Sequence, residues 1–120
     1  MGLPNHASHR QVFLDDLVGG KDAHLSLCPG IGVCRIKAGG NPGLALQVDR
    51  GALKAGQLEQ LLERRFEQAL AFDGCFVYLD AKGALVIWHA LTAGEEAADD
   101  IISKLLSLAN LEALDVHRHR

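Results

Sequence analysis

The segment from Cys75 to Ala90 constrains this chain most. A polar turn, Asp80-Ala81-Lys82-Gly83, separates two runs, Phe76-Val77-Tyr78-Leu79 and Leu85-Val86-Ile87-Trp88, that are apolar or aromatic at every position. Two such runs around a short turn ending in Gly read as a β-hairpin. A strand apolar on both faces has to be covered on both faces. In a chain of 120 residues, two or three helices cover one face of a small sheet and hardly both. The second face then needs another subunit or a bound chain, unless the N-terminal helix folds over it. Cys75, Phe76, Val77, Tyr78 and Trp88 are residue types that interfaces favour, so self-association is expected.

Helical periodicity flanks the hairpin. Leu58, Leu61, Leu62, Phe66, Ala69 and Leu70 recur at i, i+3, i+4 and i+7, with Glu59, Gln60, Glu63, Arg64, Glu67 and Gln68 opposite. This predicts a helix from about Leu53 to Phe72, stopped by Asp73-Gly74. After the hairpin, Thr92 and Glu95 have the spacing of a capping box. Glu96, Asp99 and Asp100 suit the positive end of a helix dipole, and Ala98, Ile101, Ile102, Leu105, Leu106, Leu108 and Ala109 form a broad apolar stripe.

The first third reads more weakly. A short helix from Ser8 or His9 to Val18 carries Val12, Phe13, Leu14 and Leu17 and ends at Gly19-Gly20. Three alternating runs follow: His24 to Cys28, Ile31 to Lys37, and Leu44 to Val48. Pro29-Gly30 and the stretch Gly39 to Gly43 separate them; the first break suits either a hairpin or one longer bulged strand. The expected fold is α+β, an antiparallel sheet with helices packed on it in the order α-β-β-β-α-β-β-α. It forms a single domain over residues 1–120, frayed at 1–8 and 115–120.

Composition narrows the function. Net charge is −3, and the one basic cluster is His117 to Arg120, which argues against nucleic acid as a partner. No apolar run approaches the roughly 20 residues of a membrane span. Met1 to Arg10 lacks the apolar segment of a signal peptide, so a cytoplasmic protein is expected. The cysteines Cys28, Cys34 and Cys75 read as reduced apolar fillers.

No chemistry stands out. The six histidines show no metal-ligand spacing. His89 is expected near a strand end with its polar edge on solvent or backbone. Cys75 and His89 could meet across the hairpin, but a thiol among large apolar groups has its thiolate disfavoured. Asp15-Asp16 and Glu95-Glu96 are adjacent on helices and point apart. Gly30-Ile31-Gly32 leads into a strand, with Arg35 where a third glycine belongs. No catalytic residue, metal or cofactor is expected, and the protein reads as a non-enzyme.

From Leu58 to Leu111, the helix Leu58-Glu59-Gln60-Leu61-Leu62-Glu63-Arg64-Arg65-Phe66-Glu67-Gln68-Ala69-Leu70, the turn Asp80-Ala81-Lys82-Gly83-Ala84-Leu85-Val86 and the closing amphipathic helix resemble the class I type III secretion chaperones, the Tir-chaperone family. Small size and acidic pI fit as well. The first helix and first strands are shorter than that family's. The resemblance implies a dimer, with itself or a related chaperone, that holds the N-terminal region of a secreted effector or gatekeeper in extended form. It implies Phe66, Phe76, Tyr78 and Trp88 as dimer contacts, and Leu25, Leu27, Ile36, Leu44, Leu46 and Val48 as strand positions meeting client; core packing is the alternative for each. A second reading is a roadblock- or profilin-like scaffold subunit assembling with a folded partner.

Overall fold

The computed structural model describes residues 6–18, 23–91 and 95–115. Helix α1 (His6–Val18) leads into strands β1 (His24–Cys28), β2 (Ile31–Ala38) and β3 (Asn41–Val48). Helix α2 (Gln57–Glu67), strands β4 (Cys75–Leu79) and β5 (Leu85–Ala90), and helix α3 (Glu95–Leu108) complete the chain. The fold is the expected α+β arrangement. All strand pairs are antiparallel, in the order β1-β2-β3-β5-β4.

The break at Pro29-Gly30 is a true turn: β1 pairs with β2, and a bulge lies between Ser26 and Cys28. The β2–β3 turn is tighter than the glycine-rich stretch suggests. Only Gly39 and Gly40 lie outside the strands, both at positive φ. A two-residue hairpin turn of this kind asks for that backbone at both positions, which glycine adopts freely.

Strand alternation sorts the side chains as the sequence predicts. One register row runs Leu25, Val33, Leu46, Ile87, Val77; the next row runs His24, Cys34, Ala45, Trp88, Phe76 on the opposite face. The first face carries the core. Phe13, Leu14 and Leu17 of α1, Leu61 of α2, and Ile102, Leu105, Leu106 and Leu108 of α3 pack there against Val33, Leu44, Leu46, Val48, Leu85 and Ile87. Among the described residues, the second face has only its own small cluster, Ala45, Val86 and Trp88 with Cys34 and Ile36 against them. The N-terminal helix therefore does not fold over the second face; it packs beside α3 and β1.

Helix α2 departs from expectation in length and in rotation. It covers Gln57–Glu67 instead of Leu53 to Phe72. Ahead of it the chain makes a 3-10 turn, Arg50–Ala52, and passes through Gly56 at φ 76. Behind it Gln68 leaves helical geometry. Phe72 is buried, and Cys75 N–H donates to Phe72 O at 3.1 Å; that reversal takes up the last helical turn. The rotation follows from Arg64, whose guanidinium donates to Ser107 O at 2.6 Å and reaches Glu112 at 3.3 Å. With Arg64 held inward, Leu61 enters the core while Leu62 and Phe66 face out. At 100° per residue, the packed face, centred on Leu61, lies roughly 80° from the apolar stripe centred between Leu58 and Leu62.

Helix α3 ends at a reversal in which Asn110 takes φ 62 and Leu111 N–H donates to Leu106 O at 2.8 Å, a Schellman-type stop. The chain then turns through Glu112–Leu114 and delivers Asp115 to Arg10. Thr92, the N-cap of the expected capping box, and the Gly19-Gly20 stop lie outside the described residues.

Candidate protein-binding surfaces

The bare sheet face is organised by Trp88. Its indole Nε1–H donates to Ile36 O at 2.8 Å. The ring lies over Gly43, where a Cβ would stand 2.2 Å from Cε2. The indole is thereby laid along the sheet, only 8% exposed, with Ala45 and Val86 buried beside it. Part of the hairpin's second face is therefore covered within the monomer. What stays open is concentrated on β4, where Phe76 is 61% exposed and Tyr78 is also exposed. Phe76 meets Trp88 at a tilted 45°, ring centroids 6.0 Å apart. Together with Ile36, Lys37, Ala38 and Asn41 from the β2–β3 hairpin, these rings line a recess of about 400 Å³.

Strand β4 is also an open sheet edge. Asp80 N–H donates to Ala84 O at 2.9 Å, which fixes Tyr78/Val86 and Phe76/Trp88 as the hydrogen-bonded pairs in the register. The alternate residues Cys75, Val77 and Leu79 turn their N–H and C=O groups outward. Cys75 is served there, its N–H by Phe72 O and its carbonyl by Arg65 Nε at 3.2 Å. No such bond serves Val77 or Leu79 among the described residues. Edge strands are ordinarily guarded by charge, proline, a bulge or a covering element. β1, the other edge, has a bulge and Pro29 just beyond it. The sequence of β4, Cys-Phe-Val-Tyr-Leu, has none of these guards.

The Arg65 contact sets α2 beside this edge. The helix and its following turn expose Leu62, Phe66 at 84% and Leu70 at 95%, and β4 adds Leu79. The open edge is thus flanked by an apolar helix stripe on the core side and by the aromatic recess on the bare side.

The structure brings Phe76, Tyr78 and Trp88 together with Ile36 in the recess. Phe66 belongs to α2, in the helix layer. Trp88 is a floor more than a free contact. Leu25, Leu27, Leu44, Leu46 and Val48 lie under the helices as members of the buried core, so their side chains are closed to a client in this fold. The sequence reading did not single out Ala38 and Asn41, which reach the recess through the strand register, nor Lys37, a lining residue whose place in the alternation, with Val33 and Arg35, is the helix-covered side. Nor did it single out the exposure of Leu62, Leu70 and Leu79, whose residue types match those of a packed core.

The polar side chains are accounted for by structure. Cys75 and His89 are paired in the register. His89 Nδ1 lies 2.7 Å from Ala90 O, close to a backbone group at a strand end as expected. Burial pushes the Cys75 thiol above its ordinary range, against the opposing pull of Lys104 and Arg65, and burial does the same to Cys34. Among the described residues, no three His, Cys, Asp or Glu side chains are placed to hold a metal ion together. A second, polar hollow of about 150 Å³ lies between His24, Ser26, Gln47 and Asp49. Among the described residues, no helix is long and apolar enough to cross a membrane.

Fold and surface define a small α+β domain with one helix-covered sheet face, one bare face and an unguarded edge between them. The chain belongs to the HrpV-like family, whose model matches residues 2–114. That family is associated with type III secretion. No curated protein and no solved structure matched the chain.

Proposed function

We propose that this protein is a small cytoplasmic, dimeric secretion chaperone. It binds the N-terminal region of a type III secreted effector or gatekeeper and keeps that region extended and secretion-competent, without chemistry of its own. The family's association with type III secretion supports the setting. The observation that carries the dimer is the unguarded β4 edge.

Two copies pair β4 with β4 of the second copy, antiparallel about a two-fold axis perpendicular to the sheet. Val77 and Leu79 then find backbone partners, and the two five-stranded sheets become one. Leu62, Phe66, Leu70 and Leu79 close against their symmetry mates. Their exposed side chains amount to on the order of 500 Å² per copy, near the size of a functional patch. With the paired backbone and polar rim this approaches the roughly 800 Å² per partner of a stable interface. The aromatic recess stays open for client.

Light scattering of the purified protein tests the dimer, with a particle of twice 12.9 kDa expected. Leu79→Lys or Phe66→Glu, both at exposed positions, reduces the mass to one copy with the circular dichroism spectrum unchanged. A wild-type monomer at millimolar concentration overturns the dimer. Failure of a tagged N-terminal fragment of the cognate secreted protein to co-purify overturns the chaperone reading.

A further inference from the structure

Strands joined by a two-fold axis can meet in several antiparallel registers, and the backbone of β4 favours one. Its outward groups are the N–H and C=O of Cys75, Val77 and Leu79. Those of Cys75 are taken by Phe72 O and Arg65 Nε, which closes the edge to a new strand at that end. Beyond Leu79 the chain turns. Gly83 N–H donates to Asp80 O at 3.0 Å, and Asp80 Oδ1 accepts from Lys82 N–H and Ala84 N–H, both at 2.9 Å. Ala81 lies in that turn and outside the strand. Val77 and Leu79 alone keep extended backbone with outward groups that no bond serves among the described residues.

We propose that the second copy docks with Tyr78 on the two-fold axis, so that Val77 lies opposite the partner's Leu79 and Tyr78 opposite its own symmetry mate. The inference rests on the dimer reading above and adds its register. Each Val77–Leu79 pair exchanges both N–H···O bonds, as a hydrogen-bonded antiparallel pair does, and the axis repeats the exchange. A register centred on Val77 would set Leu79 against Cys75, whose groups are occupied. One centred on Leu79 would set Val77 against Ala81 in the turn. Either leaves half of the free groups bare. β4 carries no charged side chain, so no like charges oppose one another along it. On the helix-covered side Val77 and Leu79 make apolar cross-strand pairs. On the bare side the exposed Tyr78 rings form a non-hydrogen-bonded pair, the kind in which side chains stand closest. Tyr78 also lines the aromatic recess, so the two recesses adjoin across the axis.

A cysteine scan of the full-length protein tests the register, in a Cys28→Ser/Cys34→Ser background that removes the two half-buried thiols. Oxidised glutathione is the oxidant, and non-reducing electrophoresis reads the product. Tyr78→Cys links to itself and runs at twice 12.9 kDa. Its Cα atoms stand about 4.5 Å apart across the pair, inside the roughly 4.4–6.8 Å that a disulfide spans. Val77→Cys and Leu79→Cys each stay single chains, because their own mates lie on the diagonal at about 7–8 Å, and they link when the two variants are mixed. Self-linked Val77→Cys or Leu79→Cys with Tyr78→Cys unlinked overturns the register. Light scattering of the reduced variants shows whether each is still a dimer. Should Tyr78→Cys be a monomer, the wild-type protein gives the answer, since Tyr78 is its one tyrosine. Photo-oxidation with a ruthenium tris-bipyridyl complex, persulfate accepting one electron from each phenol, joins the two rings as dityrosine; a wild-type dimer that yields none overturns the register. A dimer that links at none of these positions removes the register and leaves the dimer standing. A monomeric wild-type protein removes both.

Discussion

The indole of Trp88 occupies the space that a side chain at position 43 would need: a Cβ on Gly43 would stand 2.2–2.3 Å from Cε2, Cζ2 and Nε1. Glycine at this strand position is thus a packing requirement set by the facing ring. Gly43→Ala forces the indole off the sheet, breaks the bond to Ile36 O and uncovers Ala45. We expect a loss of about 1–3 kcal/mol, the usual range for overpacking, together with a red shift of tryptophan emission. Urea denaturation followed by fluorescence reads both. An alanine variant with wild-type midpoint and emission would contradict the packing described here.

Arg10 of α1 joins three parts of the chain. Its Nε meets Asp99 of α3 at 2.6 Å and its Nη1 meets Asp115 at 2.7 Å, while Nη2 donates to Asp99 O and Ser103 Oγ. Arg10 is almost fully buried and Asp115 completely so. Removing one member of a buried ion pair leaves an uncompensated charge and costs about 3–5 kcal/mol. Arg10→Met is expected to fall in that range, and the Arg10→Met/Asp115→Leu double variant to regain part of the loss. A double-mutant cycle in urea measures the coupling; additive single losses would show that the pair acts only through packing.

The outlines of the fold were legible because each half of the hairpin, each alternating strand and α3 announce their period in residue types. Leu44, Leu46 and Val48 fall on one face and Ala45 and Gln47 on the other, as alternation requires. The rotation of α2 was not legible. Its apolar stripe centres near Leu58 and Leu62, but the packed face is decided by Arg64, whose inward guanidinium finds Ser107 O, a group that exists only at the end of α3. Residue type alone does not distinguish a leucine packed on its own sheet from one awaiting a second chain, which is why Leu62 and Leu70 read as core. The recess was half legible. Its aromatic rings stand in the hairpin, whereas Ala38 and Asn41 join them only across the β2-β3-β5-β4 register.

Burial raises the Cys75 thiol above its ordinary 9.0. A group whose ionised form is disfavoured in the folded state contributes no pH dependence well below 9.0. Above 9.0 the unfolded thiol ionises while the folded one stays protonated, so stability falls as pH rises toward the folded value. Cys75→Ala is expected to flatten part of that alkaline decline, compared by thermal melts between pH 8 and 10.5. Alkylation gives a second measure: at pH 8 Cys75 reacts with iodoacetamide far more slowly in the folded protein than in urea. Equal rates would place the thiol in solvent.

The dimer and the recess together make a geometric prediction that neither makes alone. Pairing β4 with its symmetry mate keeps both bare faces on the same side of one sheet. Each recess is centred near β5, one to two strands from the two-fold axis. At roughly 4.8 Å per strand the two recesses lie about 15–20 Å apart. An extended segment covers that distance in about six residues at ~3.3 Å each. A peptide with two Phe anchors six residues apart is therefore expected to bind at least tenfold more tightly than a peptide with one, since the second contact becomes intramolecular. Anchors two residues apart cannot reach both recesses and bring no such gain. The advantage must also vanish in Leu79→Lys, which leaves each recess intact but separates the copies. If the long-spaced peptide kept its advantage on that monomer, the two anchors would be occupying one copy, and the continuous ten-stranded sheet would be the wrong assembly.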